Sequence, residues 1–173
     1  MTIKEAMKSF FEKQKDLYME TFGTLPTIPY NRNADPMLYV GEPDEDEEIQ
    51  WVYSEAKRIE VSGLSAELTD FYSSYYYWAL KGRIGDTLYY FPHTVNYNEA
   101  IRNAKIALER GKQLFPDENM AIIASCNIAG TDGLDLVYDQ NENKLSIYDF
   151  DSDSRTDCDY SLVELINQME PII

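Results

Sequence analysis

The stretch "LDLVYDQNENKLSIYDF" (134–150) sets two apolar-rich runs on either side of a polar, turn-forming centre. Successive side chains along a strand face opposite ways, and Asp, Asn and Gln between two such runs favour a reversal, so the pattern reads as a β-hairpin. Immediately upstream, "MAIIASC" (120–126) reads as a buried strand. Three strands that follow one another without an intervening helix favour antiparallel pairing, which constrains the whole chain toward a sheet with helices packed on it.

The remaining segments supply those helices and shorter strands. "TIKEAMKSFFEKQKDLYMETFG" carries Ile3, Met7, Phe10, Phe11, Leu17 and Tyr18 at helical spacing, with Gly23 as the stop. "TLPTIPYNRNADP", with three prolines and two asparagines, reads as loop. Short strands are expected at 37–40 and 49–53, flanking the acidic turn "GEPDEDEE". A helix is expected from Ser65 to Leu80, closed by Gly82, with Leu68, Phe71, Tyr72, Tyr75 and either Trp78 or Ala79 on one stripe. "DTLYYF" (86–91) reads as a strand, and "NYNEAIRNAKIALERGKQLF" as a helix burying Ile101, Ala104, Leu108 and Phe115. "DSDSRTDCD" reads as an acidic loop, and "DYSLVELINQMEPII" as a closing helix in which Ser161 and Glu164 have capping-box spacing. No repeat or long linker divides the chain, so the expectation is one α+β domain over 1–173, a mostly antiparallel sheet of about six strands with packed helices.

Chemistry-bearing motifs are lacking. "KGRIGD" (81–86) has two glycines but leads into a strand, so it reads as a turn rather than a phosphate loop, whose glycines must open a helix. The sole histidine, His93, sits at a strand end beside Pro92, without a recognisable partner for acid–base work. Read as calcium loops, "DQNENK" and "DFDSDS" begin well. They then place Lys144 and Ser154 where glycine is required, and Phe150 and Tyr160 where glutamate is required. Cys126 and Cys158 match no zinc or redox spacing and form no disulfide framework. The expectation is a non-enzymatic protein with no cofactor and no metal. The charged amino terminus and the lack of a ~20-residue apolar run suggest a cytoplasmic protein.

Charge and aromatics carry the functional argument. Fifteen basic residues against 31 acidic ones give a net charge of −16, a field that repels nucleic acid and anionic lipid and attracts a basic protein. "FYSSYYYWALKG" (71–82) holds six aromatic side chains within eight positions, more than one helical stripe can bury, so some face outward or the segment is covered on two sides. Tyr and Trp combine large contact area with a polar tip, which suits protein interfaces. The candidate contacts are the aromatic residues Trp51, Tyr53, Tyr72, Tyr76, Tyr77 and Trp78, some of them core, and the acids Glu45, Asp46, Glu47, Glu48, Asp70 and Asp86. Acids would steer a basic partner in and aromatics would hold it.

Several of these segments together resemble the Syd proteins, the SecY-interacting branch of the SUKH superfamily. The opening helix with its trailing "TLP" and "EDEEIQWVY" with Trp51 after an acidic stretch are similar to Syd segments. So are "ELTDFYSSYYYWALKGRIGD" and, most specifically, "LVELINQMEPII". The extra "NIAGTDG" after "MAIIASC" departs from the pattern. The resemblance implies an α+β binding protein without enzymatic activity. It would be either an immunity protein that neutralises a polymorphic toxin, often a nuclease, or a peripheral protein docked on basic cytoplasmic loops of the SecY translocon at the inner face of the membrane. An acidic mimic of nucleic acid is a third class, weakened here because the acids cluster rather than recur at phosphate-like intervals.

Overall fold

A computed structural model describes residues 1–43 and 47–173. The first helix, α1 (Ile3–Phe22), starts at a capping box. The Thr2 hydroxyl accepts from the Glu5 N–H at 3.1 Å, and the Glu5 carboxylate accepts from the Thr2 N–H at 2.7 Å. It ends where Gly23 takes a left-handed conformation, φ 70°, as the sequence suggests. After it come β1 (Thr27–Pro29), a 3₁₀ turn (Pro36–Leu38), β2 (Tyr39–Val40), β3 (Glu48–Trp51) and β4 (Ser54–Glu55). The middle of the chain holds α2 (Ala66–Tyr72), β5 (Tyr75–Tyr76), β6 (Leu80–Ile84), β7 (Thr87–Phe91) and α3 (Tyr97–Leu114). The last third is β8 (Met120–Ile128), β9 (Thr131–Asp139), β10 (Lys144–Asp149), β11 (Ser154–Asp157), α4 (Leu162–Gln168) and β12 (Glu170–Pro171).

The architecture is α+β with a seven-stranded antiparallel sheet in the order β11-β10-β9-β8-β7-β6-β12. From β6 to β11 it is a meander, and the carboxy-terminal β12 closes the far edge. Two smaller sheets, β1-β3-β2 and β4-β5, accompany it.

Register assigns the two faces. Leu80 opposite Phe91, Tyr89 opposite Cys126, Cys126 opposite Leu134, and Leu136 between Ala124 and Ile147 share one face. α1 and α4 approach this face through Gly82, where an added Cβ would lie 2.8 Å from Met169 Cβ and 3.1 Å from the Phe10 ring. On the opposite face Lys81, Tyr90, Ser125, Asp135, Tyr148 and Arg155 form one row across six strands. The carboxy-terminal half of α3 covers part of it, with Arg110 donating to Asp135 at 2.8 Å and Phe115 edge-on to Tyr148 at 4.9 Å. The buried stripe of α3 is Ala100, Ala104, Ala107 and Gly111, all small, and the larger Ile101, Leu108 and Phe115 are only half-buried.

The expected helix over 65–80 stops at Tyr72. Ser74 donates its hydroxyl to the Asp70 carbonyl at 2.5 Å, Ser73 accepts the Ile59 N–H at 3.0 Å, and the tyrosines beyond them are better strand formers than helix formers. The chain runs on as β5 and β6, so "KGRIGD" is largely a strand, and the turn falls at Gly85, φ 60°. "TLPTIPYNRNADP" contributes β1, and "DSDSRTDCD" contributes β11, so neither is wholly loop. The closing helix keeps its Ser161–Glu164 capping box but ends at Gln168, since Pro171 disfavours helical backbone just before it. Among the described residues no helix is long and apolar enough to cross a membrane.

Candidate protein-binding surface

The aromatic run is extended rather than helical, and extension buries both of its sides. Tyr75 and Tyr77 face Phe11, with ring centroids 6.0 and 5.3 Å away, while Tyr76 turns into a separate small cluster with Ala34, Leu38 and Val95. Tyr77 is pinned by backbone bonds in both directions with Thr94, and the Tyr76 hydroxyl accepts the Lys57 N–H at 3.2 Å. Tyr72, Tyr76 and Tyr77 are 4%, 2% and 2% exposed, and Trp51 is 4% exposed, so these four proposed contacts are core residues with no ring to offer a partner. Tyr53 is half-buried, stacked on Phe11 at 5.0 Å, and donates its hydroxyl to the Glu12 carboxylate. That bond holds the Glu12 carboxyl below its ordinary range. Trp78 is half-buried with its ring 5.3 Å from His93, and its indole N–H is buried without a hydrogen-bond partner among the described residues. The His93 Nε2 lies 3.4 Å from Glu99, which also pairs with Arg102.

The proposed acids that are described sit on three different parts of the chain. Glu45 and Asp46 lie outside the described residues. Glu47 is exposed in a left-handed conformation, φ 59°, whereas Glu48 is half-buried in β3. Asp70 is exposed on α2 and pairs with Arg58 at 3.2 Å, and Asp86 is exposed beside Gly85 in the β6–β7 turn.

The concentrated acid lies elsewhere. Residues 116–164 hold twelve acidic side chains and two basic ones, and these build the β9–β11 end of the sheet. Both basic groups there are modest counterweights: Arg155 forks onto Glu118 at 2.9 and 3.2 Å, and Lys144 is exposed at the β9–β10 turn. Among the described residues, Asp149, Asp151, Asp157 and Asp159 take part in no ion pair. The β10–β11 turn is ordered by its own acids. Asp149 accepts the Asp151 N–H at 3.0 Å, and Asp153, at φ 49°, accepts the Tyr148 hydroxyl at 2.7 Å. At its tip Phe150 is 67% exposed, a large aromatic ring held out between Asp149 and Asp151.

Beside this turn the apolar sheet face continues past the helices. Ile128, Leu134 and Ile147 line an open pocket of about 310 Å³, with Thr156 and the acids Asp149 and Asp157 also in its walls. An exposed ring, an apolar depression and uncompensated carboxylates at one corner make a surface for an apolar side chain flanked by cations. The contacts expected from the sequence lie within 45–86 and include none of these residues. The available signal was Phe150 itself, one large apolar residue inside an acidic hairpin tip.

Among the described residues no group of three or more His, Cys, Asp or Glu side chains is arranged to hold a metal ion. Asp139, the first residue of "DQNENK", instead accepts the N–H groups of Asn141 and Glu142 and so forms the β9–β10 turn. No protein-family model matches the chain, and no match was found among curated proteins.

Proposed function

We propose that the protein is a non-enzymatic binding module that captures a basic protein surface, serving as an immunity protein that neutralises a toxin domain. The observation that carries this reading is the corner at β9–β11, where exposed Phe150 and an apolar pocket sit among aspartates without ion-pair partners. Carboxylates of this density raise the rate of encounter with a cation-rich surface and disfavour phosphate-bearing partners, and one buried aromatic anchor can then slow dissociation. A nuclease toxin presents such a cationic surface because it holds nucleic acid. The resemblance to Syd and the SUKH superfamily supplies the biological setting.

The test is affinity capture from the native organism at low and high salt, with wild-type protein and Phe150→Ala in parallel. The expected result is a basic, toxin-like protein that elutes with salt and is lost with Phe150→Ala. Recovery of SecY from membranes would transfer the protein to translocon docking, and a partner retained equally by Phe150→Ala would remove this corner from the interface.

A further inference from the structure

The seven-stranded sheet has two edges of different character. β12 is two residues long, contains Pro171, and is tied to α1 by the Lys13–Glu170 pair at 3.6 Å. That edge is closed. β11 is four residues long, without proline, and every one of its residues is exposed. The Cys158 N–H donates to the Leu145 carbonyl at 2.9 Å, and alternation along an antiparallel strand then turns the N–H and C=O of Arg155 and Asp157 away from β10. β11 therefore presents a row of outward backbone donors and acceptors.

Resting on the reading of this corner as a site for a basic protein, we propose that the partner docks by strand addition. An extended basic segment pairs with β11 as an eighth strand, alternating apolar and cationic side chains. Thr156 shares the sheet face of Leu136 and Ile147, so an added strand directs every second side chain toward the pocket lined by Ile128, Leu134 and Ile147. Main-chain bonds to Arg155 and Asp157 fix its register, while Asp149, Asp153, Asp157 and Asp159 surround its ends with negative charge. β11 itself carries one Arg and one Asp, so the charge preference comes from the aspartates around it, Asp149, Asp151, Asp153 and Asp159, which favour a basic strand over a second acidic copy of this chain.

The assay is fluorescence anisotropy of a labelled peptide of alternating Val and Lys, compared with a peptide of identical side chains whose alternate backbone nitrogens are methylated. Strand addition requires the unmodified peptide to bind about tenfold more tightly or better, since methylation removes several backbone bonds while leaving charge untouched. Asp157→Pro removes an outward N–H that β10 does not use, so it is expected to weaken binding more than the charge control Asp157→Asn does. Equal affinity for the two peptides overturns strand addition and leaves the basic-partner reading standing. Binding by neither peptide, even at low salt, overturns both. A homodimer in sedimentation that Asp157→Pro dissolves would place a second copy on the edge and overturn the basic-strand assignment.

Discussion

Gly111→Ala pits local propensity against tertiary packing, and the two predict opposite signs. Gly111 lies inside α3, where alanine is the better helix former by about 1 kcal/mol. On propensity alone the substitution stabilises. However, a Cβ at this position would stand 2.0 Å from the Met120 carbonyl oxygen and 3.0 Å from Ala121 Cα, all of it backbone that cannot rotate aside. Carbon and oxygen need more than 3 Å, so α3 must lift from β8 by over 1 Å along its length. Forcing one methyl group into a packed site costs about 1–3 kcal/mol, and lifting a helix falls at the upper end or beyond. The net expectation is destabilisation by about 1–2 kcal/mol or more, which for a chain of this size lowers Tm by about 2–8 °C. Urea and thermal unfolding followed by circular dichroism measure it directly. An unchanged or raised midpoint would refute the close seating of α3 on β8, and with it the placement of Arg110 and Phe115 over the second sheet face.

Tyr77→Ala should lose about 3–5 kcal/mol in chemical denaturation, as expected for a large buried aromatic, whereas Phe150→Ala should stay within about 0.5 kcal/mol of wild type; a mild Tyr77→Ala would mean that its ring is not core. Tyr53→Phe removes the hydroxyl that holds Glu12 ionised, so the Glu12 carboxyl should titrate at higher pH in an NMR experiment. Because that carboxyl is depressed in the folded state, its contribution exists above the unfolded value of 4.5 and disappears as pH falls through the folded value; with the side chain 44% exposed, about 0.5–1 kcal/mol is expected, and acid unfolding of Tyr53→Phe should lack this component. Burial pushes the Cys126 thiol up to about 12 and the Cys158 thiol up to about 11, so neither is a thiolate at neutral pH, and a disulfide reagent should react with the native protein far more slowly than with unfolded chain. Fast labelling at neutral pH would contradict that burial.

Strong periodicity over long segments was legible from the residues. The stripe of α1 from Ile3 to Phe11 and its stop at Gly23 follow from 3.6-residue spacing and from the left-handed conformation that glycine accepts without cost. The β8–β9–β10 succession follows from apolar runs separated by turn-forming side chains, and with it the antiparallel α+β class. Where two periods compete over a short stretch, the sequence could not arbitrate. Residues 71–80 fit a helical stripe, yet Ser73, Ser74 and consecutive tyrosines favour extension, and pairing with Ser54 and Thr94 decided the matter.

The site divides in the same way. Net acidity and the abundance of tyrosine are properties of composition, and they hold for any fold of this chain. Which rings reach solvent depends on what covers them, and coverage comes from segments far away in sequence: Phe11, Leu38 and Val95 bury tyrosines that sequence alone leaves free. The aspartates of 149–159 are contiguous in the sequence, like "GEPDEDEE", but their position beside Ile128 and Leu134 follows only from the pairing of β8, β9, β10 and β11. The sequence by itself determined the charge, through composition, the antiparallel class, through strands that follow one another, and the capping boxes, through contacts within three residues. Tertiary structure alone decided the open edge at β11, the exposure of Phe150 and the apolar pocket beside them, because each depends on where helices and strands distant in sequence stop covering the sheet.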